Sequence, residues 1–392
     1  MRTTLLKATA ILSIAGLMST LQVSAQDNAA QIVKSGAGTV NDLANVYMGP
    51  LMKGFGLGLA DGWNNNTART LGTGGFDLRF NLGVCMVPTN DQSYNPNEVF
   101  KSNSNITWVN NGVGGSAPSM FGTSGQPLGT MDGYGKVRLT NPITNLPFDT
   151  TLLVTKMQLP PGGGVPYSVT MPSVQLSVGI YKNTEVMIRF VPQIAAGTFK
   201  VGTWGVGVKH SIKQWIPVIK DQKIWDWSAL ASYSQFTSEF GFGTNSLKPD
   251  SGSFNPNPSI DYTNQKITMT GNGFTIGTLV SAKLLFFTPY VGFNYSYSSM
   301  NMKFEGNFPV PVPDEKYQPV SILPNYHPFQ TKISNLADPI NVDGSISNVR
   351  VNMGARIKLA VLIIGGEYSI GTYNTATLSV GLNLQSIKPF KL

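Results

Sequence analysis

Strict alternation of apolar and polar residues over long stretches is the feature that most constrains this chain. In the stretch 75–88 every even position from Phe76 to Met86 is apolar, whereas the odd positions hold the charges Asp77 and Arg79. A period of two predicts an extended strand with one apolar and one polar face. Strands of soluble sheets run to about five or six residues, whereas a tilted bilayer crossing needs about nine to eleven. This strand therefore belongs either to a long soluble hairpin or to a membrane barrel.

The same alternation recurs along the chain, above all in its C-terminal half. Examples are SVQLSVGIYKNTEVMIRFV, GTFKVGTWGVGVKH, WDWSALASYSQF, TPYVGFNYSYSSM, SNVRVNMGARIKL and ATLSVGLNL. In SNVRVNMGARIKL the polar phase holds three cations, Arg350, Arg356 and Lys358. A cation on a lipid-facing surface at mid-membrane costs about 2–4 kcal/mol, so these side chains are expected to face inward. We therefore predict a polar lumen lined by Asp77, Arg79, Arg350, Asn352, Arg356 and Lys358.

These strands predict an all-β transmembrane fold, a closed antiparallel β-barrel of about 12–14 strands. The connections alternate in length, because 181–184 and 286–288 are short whereas 241–265 and 306–345 are long. Short turns are typical of the periplasmic end of such barrels, and long loops of the extracellular end. Between residues 88 and 160 the pattern weakens, which leaves either a pair of strands or part of a large outer loop. The alternative, a soluble β-sandwich, would instead bring its apolar faces together in a core.

The first 25 residues have the layout of a secretory signal peptide. Arg2 and Lys7 precede an apolar stretch over residues 8–21, and residues 23–25 form a small-x-small cleavage site. The alternative is an N-terminal membrane anchor, for which the apolar stretch is short. We therefore predict an exported protein of the cell outer membrane, with a signal peptide at 1–25, an N-terminal lumenal hatch at 26–69 and the barrel at 70–392.

Composition favours a barrel over a soluble globule. Charged residues make up 12% of the chain, against about 25% in soluble domains, and glycine accounts for 42 of 392 residues. The formal net charge of +8 comes from scattered Lys and Arg without a basic run. This distribution argues against nucleic-acid binding and favours a positively charged lumen or contact with anionic lipid head groups. The single cysteine, Cys85, excludes an internal disulfide.

The segment before the first strand has a different period. Between Val33 and Tyr47 apolar residues recur every three to four positions, which predicts an amphipathic helix followed by irregular, glycine-rich chain. A barrel of a dozen strands encloses more space than its own side chains fill. We therefore expect this segment to plug the lumen from the periplasmic side. Tyr47, Phe55 and Trp63 are the candidate contacts for an apolar ligand.

A second departure from alternation lies between two strands. In Ser211–Asp221 the apolar positions Ile212, Trp215, Ile216 and Ile219 have helical spacing, although Pro217 interrupts them. This predicts a short interfacial helix, with His210 as a hydrogen-bonding residue at the rim.

Three stretches carry a resemblance to a known family. They are VYMGPLMKGFGLGLADGWNNNTARTLGTGGFDLRF, VGIYKNTEVMIRFVP and GVKHSIKQWIP, and they resemble a family of Gram-negative outer-membrane proteins of unknown function. The broader architecture looks like that of the long-chain fatty-acid transporters of the outer membrane. That resemblance implies a fourteen-stranded barrel with an N-terminal hatch, through which apolar substrates diffuse. The chain departs from it by having NNNTART in place of an Asn-Pro-Ala hatch motif.

The sequence offers little for catalysis. His210 and His327 are the two histidines, and they are far apart in the chain. No Gly-x-Ser-x-Gly elbow is present, and two histidines and one cysteine do not suffice for a zinc site. We therefore expect no enzyme, no cofactor and no metal.

The sequence thus predicts an outer-membrane channel for passive uptake of a small hydrophobic or amphipathic molecule. The alternative is a structural or partner-binding barrel without a transport role. The expected partners are outer-membrane lipid and a small hydrophobic ligand, with no nucleic acid, and the chain is expected to be a monomer.

Overall fold

The computed structural model describes residues 40–101, 106–109, 115–125, 129–140, 144, 146–163, 167–243, 246–249, 251, 253–313 and 331–385. The helices are α1 (Val40–Ala60) and α2 (Pro96–Phe100). The strands are β1 (Phe76–Met86), β2 (Ser93–Tyr94), β3 (Ile106–Val109), β4 (Ala117–Pro118), β5 (Thr130–Thr140), β6 (Pro147–Gln158), β7 (Ser168–Gly179), β8 (Thr184–Ala196), β9 (Phe199–Ser211), β10 (Trp225–Gly241), β11 (Lys266–Ala282), β12 (Phe287–Glu305), β13 (Asn307–Pro313), β14 (Thr331–Ala337), β15 (Ile340–Leu359), β16 (Leu362–Ile370) and β17 (Thr375–Leu384).

Ten of these strands close into an antiparallel barrel in the order β1-β17-β16-β15-β12-β11-β10-β9-β8-β7. The predicted closed barrel is confirmed, but its strand number is ten and not twelve to fourteen. The difference arises because β5 pairs with β3 on one side and with β6 on the other in a separate sheet, while β13 and β14 form a hairpin of their own. It also departs from the fourteen strands that the resemblance to fatty-acid transporters implies.

The register of β1, which pairs with β7 and β17 to close the barrel, explains the alternation of apolar and polar residues in 75–88. Leu78 on β1 lies opposite Leu176 on β7 and Leu382 on β17, and all three side chains are exposed on the outside of the barrel. Its neighbour Arg79 lies opposite Gln175 and is buried inside. One face of β1 is therefore apolar and outward, and the other is polar and lumenal.

The two ends of the barrel differ. At the short-turn end, strands are joined through residues 180–183, 212–224, 283–286 and 360–361. At the opposite, long-loop end, three long connections cover residues 87–167, 242–265 and 306–339, and they carry the small sheets. The first barrel strand, β1, begins at the short-turn end, and the last, β17, ends there.

The prediction of a helix over Ser211–Asp221 is wrong. The structure has a single 3-10 turn at Lys213–Trp215, after which the backbone becomes extended at Ile216, just before Pro217. His210 bridges this turn to the wall, because Trp215 Nε1 donates to its Nε2 at 2.8 Å and Thr184 Oγ1 lies 2.8 Å from its Nδ1. His327 lies outside the described residues.

The N-terminal helix also differs from its prediction. Residues 33–39 lie outside the described residues, and α1 continues without interruption to Ala60 where irregular chain was expected. The glycines persist in the helix because the wall approaches closely: a Cβ on Gly54 would lie 2.5 Å from Val169, and one on Gly58 would lie 2.8 Å from Met171. Packing inside the barrel thus outweighs the low helix propensity of glycine.

The sequence predicts that the N-terminal segment enters the lumen from the short-turn, periplasmic end. Helix α1 instead begins at the long-loop end. Asn41, in its first turn, accepts a hydrogen bond from the backbone of Asn341 at the long-loop end of β15 (3.0 Å). The chain then descends through the lumen and leaves into β1 at the short-turn end. Residues 40–75, here named the lumenal segment, therefore run through the barrel from the long-loop end downward.

Candidate functional site

The candidate site is the barrel interior, which changes character halfway along the strands. On β15 the inward residues nearer the long-loop end are Ile340, Val342 and Ile346, and those below are Asn348, Arg350 and Asn352. On β12 the corresponding sets are Phe304, Met302 and Met300 above, and Ser298, Ser296 and Asn294 below. The interior is apolar in the upper half, toward the long-loop end, and polar in the lower half.

The outer face changes at the same level and in the opposite sense. On β15 the outward residues are Asn341, Asp343, Ser345 and Ser347 above, followed by Val349, Val351 and Met353 below. On β10 the outward Tyr233 is followed upward by Gln235, Thr237 and Glu239. The lower half is therefore built like a membrane barrel and the upper half like a soluble one. We call this level the polarity switch; sequence reasoning missed it, although the apolar phase of INVDGSISNVRV moves from even to odd positions there.

Helix α1 forms the centre of the upper, apolar half. Its buried residues pack in one cluster with the strands and with the long loops, and the cluster is rich in methionine. Its methionines are Met48, Met52, Met120, Met131, Met269, Met300 and Met302. The ring of Phe55 stacks on Phe236 of β10 with centroids 4.9 Å apart. The upper half thus has the makeup of a hydrophobic core.

The long loops close over this core. The Tyr47 hydroxyl donates to the carbonyl of Pro161 at 2.8 Å, and the Met120 amide donates to the carbonyl of Tyr47 at 3.0 Å. Lys53 pairs with Asp91 at 2.9 Å. The helix is therefore bonded to the loops above it as well as packed against the wall.

The lower end of α1 meets two buried arginines. Arg350 Nη2 donates to the carbonyl of Ala60 at 2.8 Å, and Arg189 Nη1 donates to the carbonyl of Asp61 at 2.7 Å. Cations at a helix C-terminus satisfy its free carbonyls and its dipole. Arg189 also lies 4.2 Å from the ring centroid of Trp63, a cation–π contact. Two wall residues thereby cap the helix.

Below the helix, consecutive asparagines bind three separate sites on the wall. Asn64 Nδ2 donates to Glu367 Oε2 at 2.8 Å. Asn65 donates to Glu185 and accepts from Gln175 Nε2 at 2.7 Å. Because both carboxylates are buried, each amide satisfies a group that is costly to leave unpaired.

The third asparagine, Asn66, is hydrogen-bonded to Arg79, which pairs with Asp77; both are predicted lumen residues. Asn66 Oδ1 accepts from Arg79 Nη1 at 2.9 Å and from Ser379 Oγ at 2.6 Å. Arg79 in turn binds Asp77 with two hydrogen bonds, at 2.7 and 2.8 Å. Asn65 and Asn66 have φ angles of 55° and 51°, a left-handed conformation that asparagine tolerates better than most residues. The NNN motif is therefore a wall-binding loop.

All six predicted lumen residues face the interior. Asp77, Arg79, Arg350, Asn352 and Arg356 are buried and Lys358 is half-buried. Sequence reasoning missed other charged side chains that are buried inside the barrel, namely Asp61, Glu185, Arg189, Lys209 and Glu367. Their signal was the same alternation, because Glu185 and Arg189 lie in the polar phase of TEVMIRF and Lys209 in that of GVGVKH.

The candidate ligand contacts are not brought together. Tyr47 and Phe55 belong to the upper apolar cluster, whereas Trp63 lies in the lower half in a small cluster with Met187 and Leu230. A shared apolar ligand site lined by these three residues is therefore absent from the structure.

One cavity lies beside the lumenal segment at the lower end of α1. It lies next to Gly58 and Asp61 and has a volume of about 20 Å³, enough for about one water molecule. Within the part of the chain that the structure describes, Asn81 Nδ2 and Thr377 Oγ1, on residues that line it, have no hydrogen-bond partner. The cavity is thus suited to hold a bridging water and is too small for a solute path.

A charge ladder crosses four strands on the outer surface above the polarity switch. Lys200 pairs with Glu239 at 2.8 Å, Lys266 lies 3.6 Å from Glu239, and Lys266 pairs with Glu305 at 3.1 Å. The hydrogen bond from Lys200 lowers the pKa of Glu239. The hydrogen bond from Thr268, together with Lys266, lowers the pKa of Glu305. Both carboxylates are thereby held ionised.

No helix among the described residues is both long and apolar enough to cross a membrane. The described residues also hold no cluster of three or more His, Cys, Asp or Glu side chains arranged to bind a metal.

The sequence model of a family of unknown function, DUF6588, matches residues 1–384. No curated protein matches the chain. Among solved structures, the chain is similar to the translocator domain of the autotransporter NalP from Neisseria meningitidis, with 12% identity over 87% of this chain and 99% of that one and a TM-score of 0.28.

The chain is also similar to the outer-membrane transporter YddB from Escherichia coli, with 10% identity over 78% of this chain and 43% of that one and a TM-score of 0.26. A third likeness is to the outer-membrane protease OmpT from Escherichia coli, with 9% identity over 80% and 92% of the two chains and a TM-score of 0.22. All three are outer-membrane proteins, and at these scores they carry no argument about function. The barrel itself is established by the pairing of its own strands.

Proposed function

We propose that this chain, which belongs to the DUF6588 family of unknown function, is a closed outer-membrane barrel that presents a folded surface for binding outside the cell. In this proposal the lower half spans the membrane as a monomer surrounded by outer-membrane lipid. The upper half and the long loops stand outside, where they bind a partner or a surface polymer. The protein has no enzymatic role.

The polarity switch carries the proposal. Above it, β15 continues for eight residues (340–347) with apolar side chains inward and polar side chains outward. At about 3.3 Å per residue and a tilt of about 40°, this length raises the wall roughly 20 Å above the membrane band. A strand pattern of this kind is favourable in water and unfavourable in lipid.

The lumenal segment supports closure. Its helix fills the upper core, and its asparagine loop is bonded to buried carboxylates and an arginine on the wall. Displacing it would leave Glu185 and Glu367 without these donors, at a cost typical of buried charges that lose a partner. We therefore infer that the segment is a permanent part of the fold.

One observation favours a second function, passive uptake of a small hydrophobic or amphipathic molecule. The interior around α1 is apolar and rich in methionine, a residue whose flexible side chain suits variable apolar ligands. A hydrophobic molecule could replace α1 there if the helix moved. The two functions differ in a single property, which is whether α1 leaves the wall.

A disulfide tether tests this property. A Cβ on Gly56 would lie 3.0 Å from Ser298 Cβ, slightly closer than the usual 3.5–4.5 Å of a disulfide, so a small shift allows the bond. Gly56→Cys and Ser298→Cys are combined in a Cys85→Ala background, and the two single variants are the matched controls. Conductance is measured in planar bilayers, and entry of N-phenyl-1-naphthylamine is measured in whole cells, each with and without reductant.

The proposal predicts that the protein stays closed in every state, with no conductance steps and no dye entry above that of cells lacking it. Conductance or dye entry that appears in the reduced double variant and in the single variants, and disappears on oxidation, would contradict closure. That result would establish the uptake channel instead.

A further inference from the structure

A basic cavity opens at the short-turn end, away from the apolar upper half. It has a volume of about 240 Å³, and four cations contribute to its lining, namely Arg69, Lys283, Arg356 and Lys358. Among the described residues that line it, none is a carboxylate. Arg69 also lines a neighbouring cavity of about 280 Å³ together with Lys213, Lys220 and Asp226, and Asp226 pairs with Lys213 at 3.3 Å. Across the two cavities, cations outnumber carboxylates among the described lining residues, so the lower mouth of the barrel is positive.

The charges of this cavity are only partly compensated. Arg356 Nη2 lies 3.6 Å from Asp77, but that carboxylate already accepts two hydrogen bonds from Arg79. Lys358 donates to the neutral side chain of Asn383. In the part of the chain that the structure describes, the side chains of Arg69 and Lys283 make no ion pair. Arg356 is buried, Arg69 and Lys358 are half-buried and Lys283 is exposed. Like charges gathered around one cavity repel one another unless an anion joins them.

We propose that this cavity is a binding site for a phosphate group. Arginine guanidinium groups offer a planar pair of donors that matches phosphate oxygens, and lysine adds a point charge. Arg69 and Arg356 would supply the donors, and Lys283 and Lys358 the additional charge. The proposal does not depend on whether α1 leaves the wall, since none of the described residues around the cavity belongs to that helix.

The phosphate can come from a free anion or from a phospholipid head group. The turn beside the cavity presents Leu285 and Phe286, whose side chains are 89% and 57% exposed, and both residues also line the cavity. An apolar turn next to a basic cavity at the membrane boundary matches the two parts of a phospholipid. The same cations would equally hold inorganic phosphate, so the experiment separates the two sources.

The test uses the full chain in a nonionic detergent. Binding is measured by isothermal titration with inorganic phosphate in one arm and with short-chain phosphatidylglycerol below its micelle concentration in the other. The double variant Arg69→Gln/Lys283→Gln removes the two unpaired cations without touching the buried network. Tyr181→Gln, at an exposed turn of the same end outside the cavity, is the matched control.

We expect binding in at least one arm, weakened about tenfold or more for each lost contact in the double variant and unchanged in Tyr181→Gln. Binding of both ligands indicates a general phosphate site, and binding of phosphatidylglycerol alone indicates a lipid head-group site. Absence of binding in both arms would overturn the proposal, and so would equal affinity of the parent and the double variant. Neither failure would bear on closure of the barrel, which the tether tests separately.

Discussion

The guanidinium of Arg350 on the wall forms an ion pair with Asp61 at the end of α1, with Nη1 and Oδ1 3.3 Å apart. Both side chains are buried, and the same guanidinium caps the Ala60 carbonyl. The pair lies just below the polarity switch, where the apolar core meets the polar floor. It joins the helix to the barrel through charge as well as packing.

This pair gives the first prediction. Arg350→Leu removes the ion-pair partner of Asp61 and leaves this buried carboxylate with the hydroxyl donors Thr375 and Ser369; breaking a buried pair costs about 3–5 kcal/mol. Unfolding in urea, followed by loss of the compact form on gels, should show this loss for Arg350→Leu. The double variant Arg350→Leu/Asp61→Leu should recover part of it, because neither charge then remains alone. A loss in the double variant equal to the sum of the losses of Arg350→Leu and Asp61→Leu, each measured alone, would mean that the pair has no coupling.

A second prediction concerns the polarity switch. Val351 and Ser345 both face outward on β15, below and above the switch. Val351→Arg places a cation in the membrane band, at about 2–4 kcal/mol, and should reduce assembly of the heat-modifiable barrel. Ser345→Arg places it in water and should assemble like the parent. Equal impairment of the two variants would place Ser345 inside the membrane as well, and normal assembly of both would show that Val351 does not face lipid.

The sequence predicts which side chains of a strand point into the lumen and which point outward, because this is a local property of the strand. Alternation in 75–88 and in SNVRVNMGARIKL places each side chain on one face or the other without knowledge of its partner strand. The polar lumen residues followed directly from it. The structure adds that Asn352 donates to Glu367 at 3.0 Å, so a carboxylate at position 352 would meet another one there.

Strand number and the extent of α1 were not predictable in the same way. Whether β5 and β6 join the barrel or a separate sheet depends on pairing between distant segments. The glycines of α1 read as irregular chain, since their helical state depends on close contact with Val169 and Met171. The wall-binding role of Asn64, Asn65 and Asn66 likewise depends on carboxylates and an arginine that are far away in sequence.

A third prediction concerns orientation. Asp42 lies exposed in the first turn of α1 at the long-loop end, and Tyr181 lies exposed at the short-turn end. In a Cys85→Ala background, Asp42→Cys should react with a bulky polyethylene-glycol maleimide on intact cells. Tyr181→Cys should react only after the outer membrane is opened. The reverse pattern would place the long loops in the periplasm.

A fourth prediction concerns pH and the charge ladder. Glu239 and Glu305 have lowered pKa values, so their pairing stabilises the fold at neutral pH, and this contribution is lost as pH falls below the ordinary glutamate value of about 4.3 through the lowered values. Amides at the upper ends of β10 and β11 should then exchange faster relative to those of β1. In Glu239→Gln/Glu305→Gln that acid-induced difference should disappear. An unchanged difference would assign the pH dependence to other groups.

Hydrogen exchange in the membrane-inserted protein distinguishes a fixed α1 from a helix that leaves the wall. If the helix is a fixed core, the buried amides from 46 to 60 open only when the barrel does. Their exchange should then be as slow as that of the neighbouring strand β12, measured in the same sample. Exchange of these amides many-fold faster than β12, while the strand stays protected, would show that α1 leaves the wall in a folded barrel, and would contradict the closed barrel.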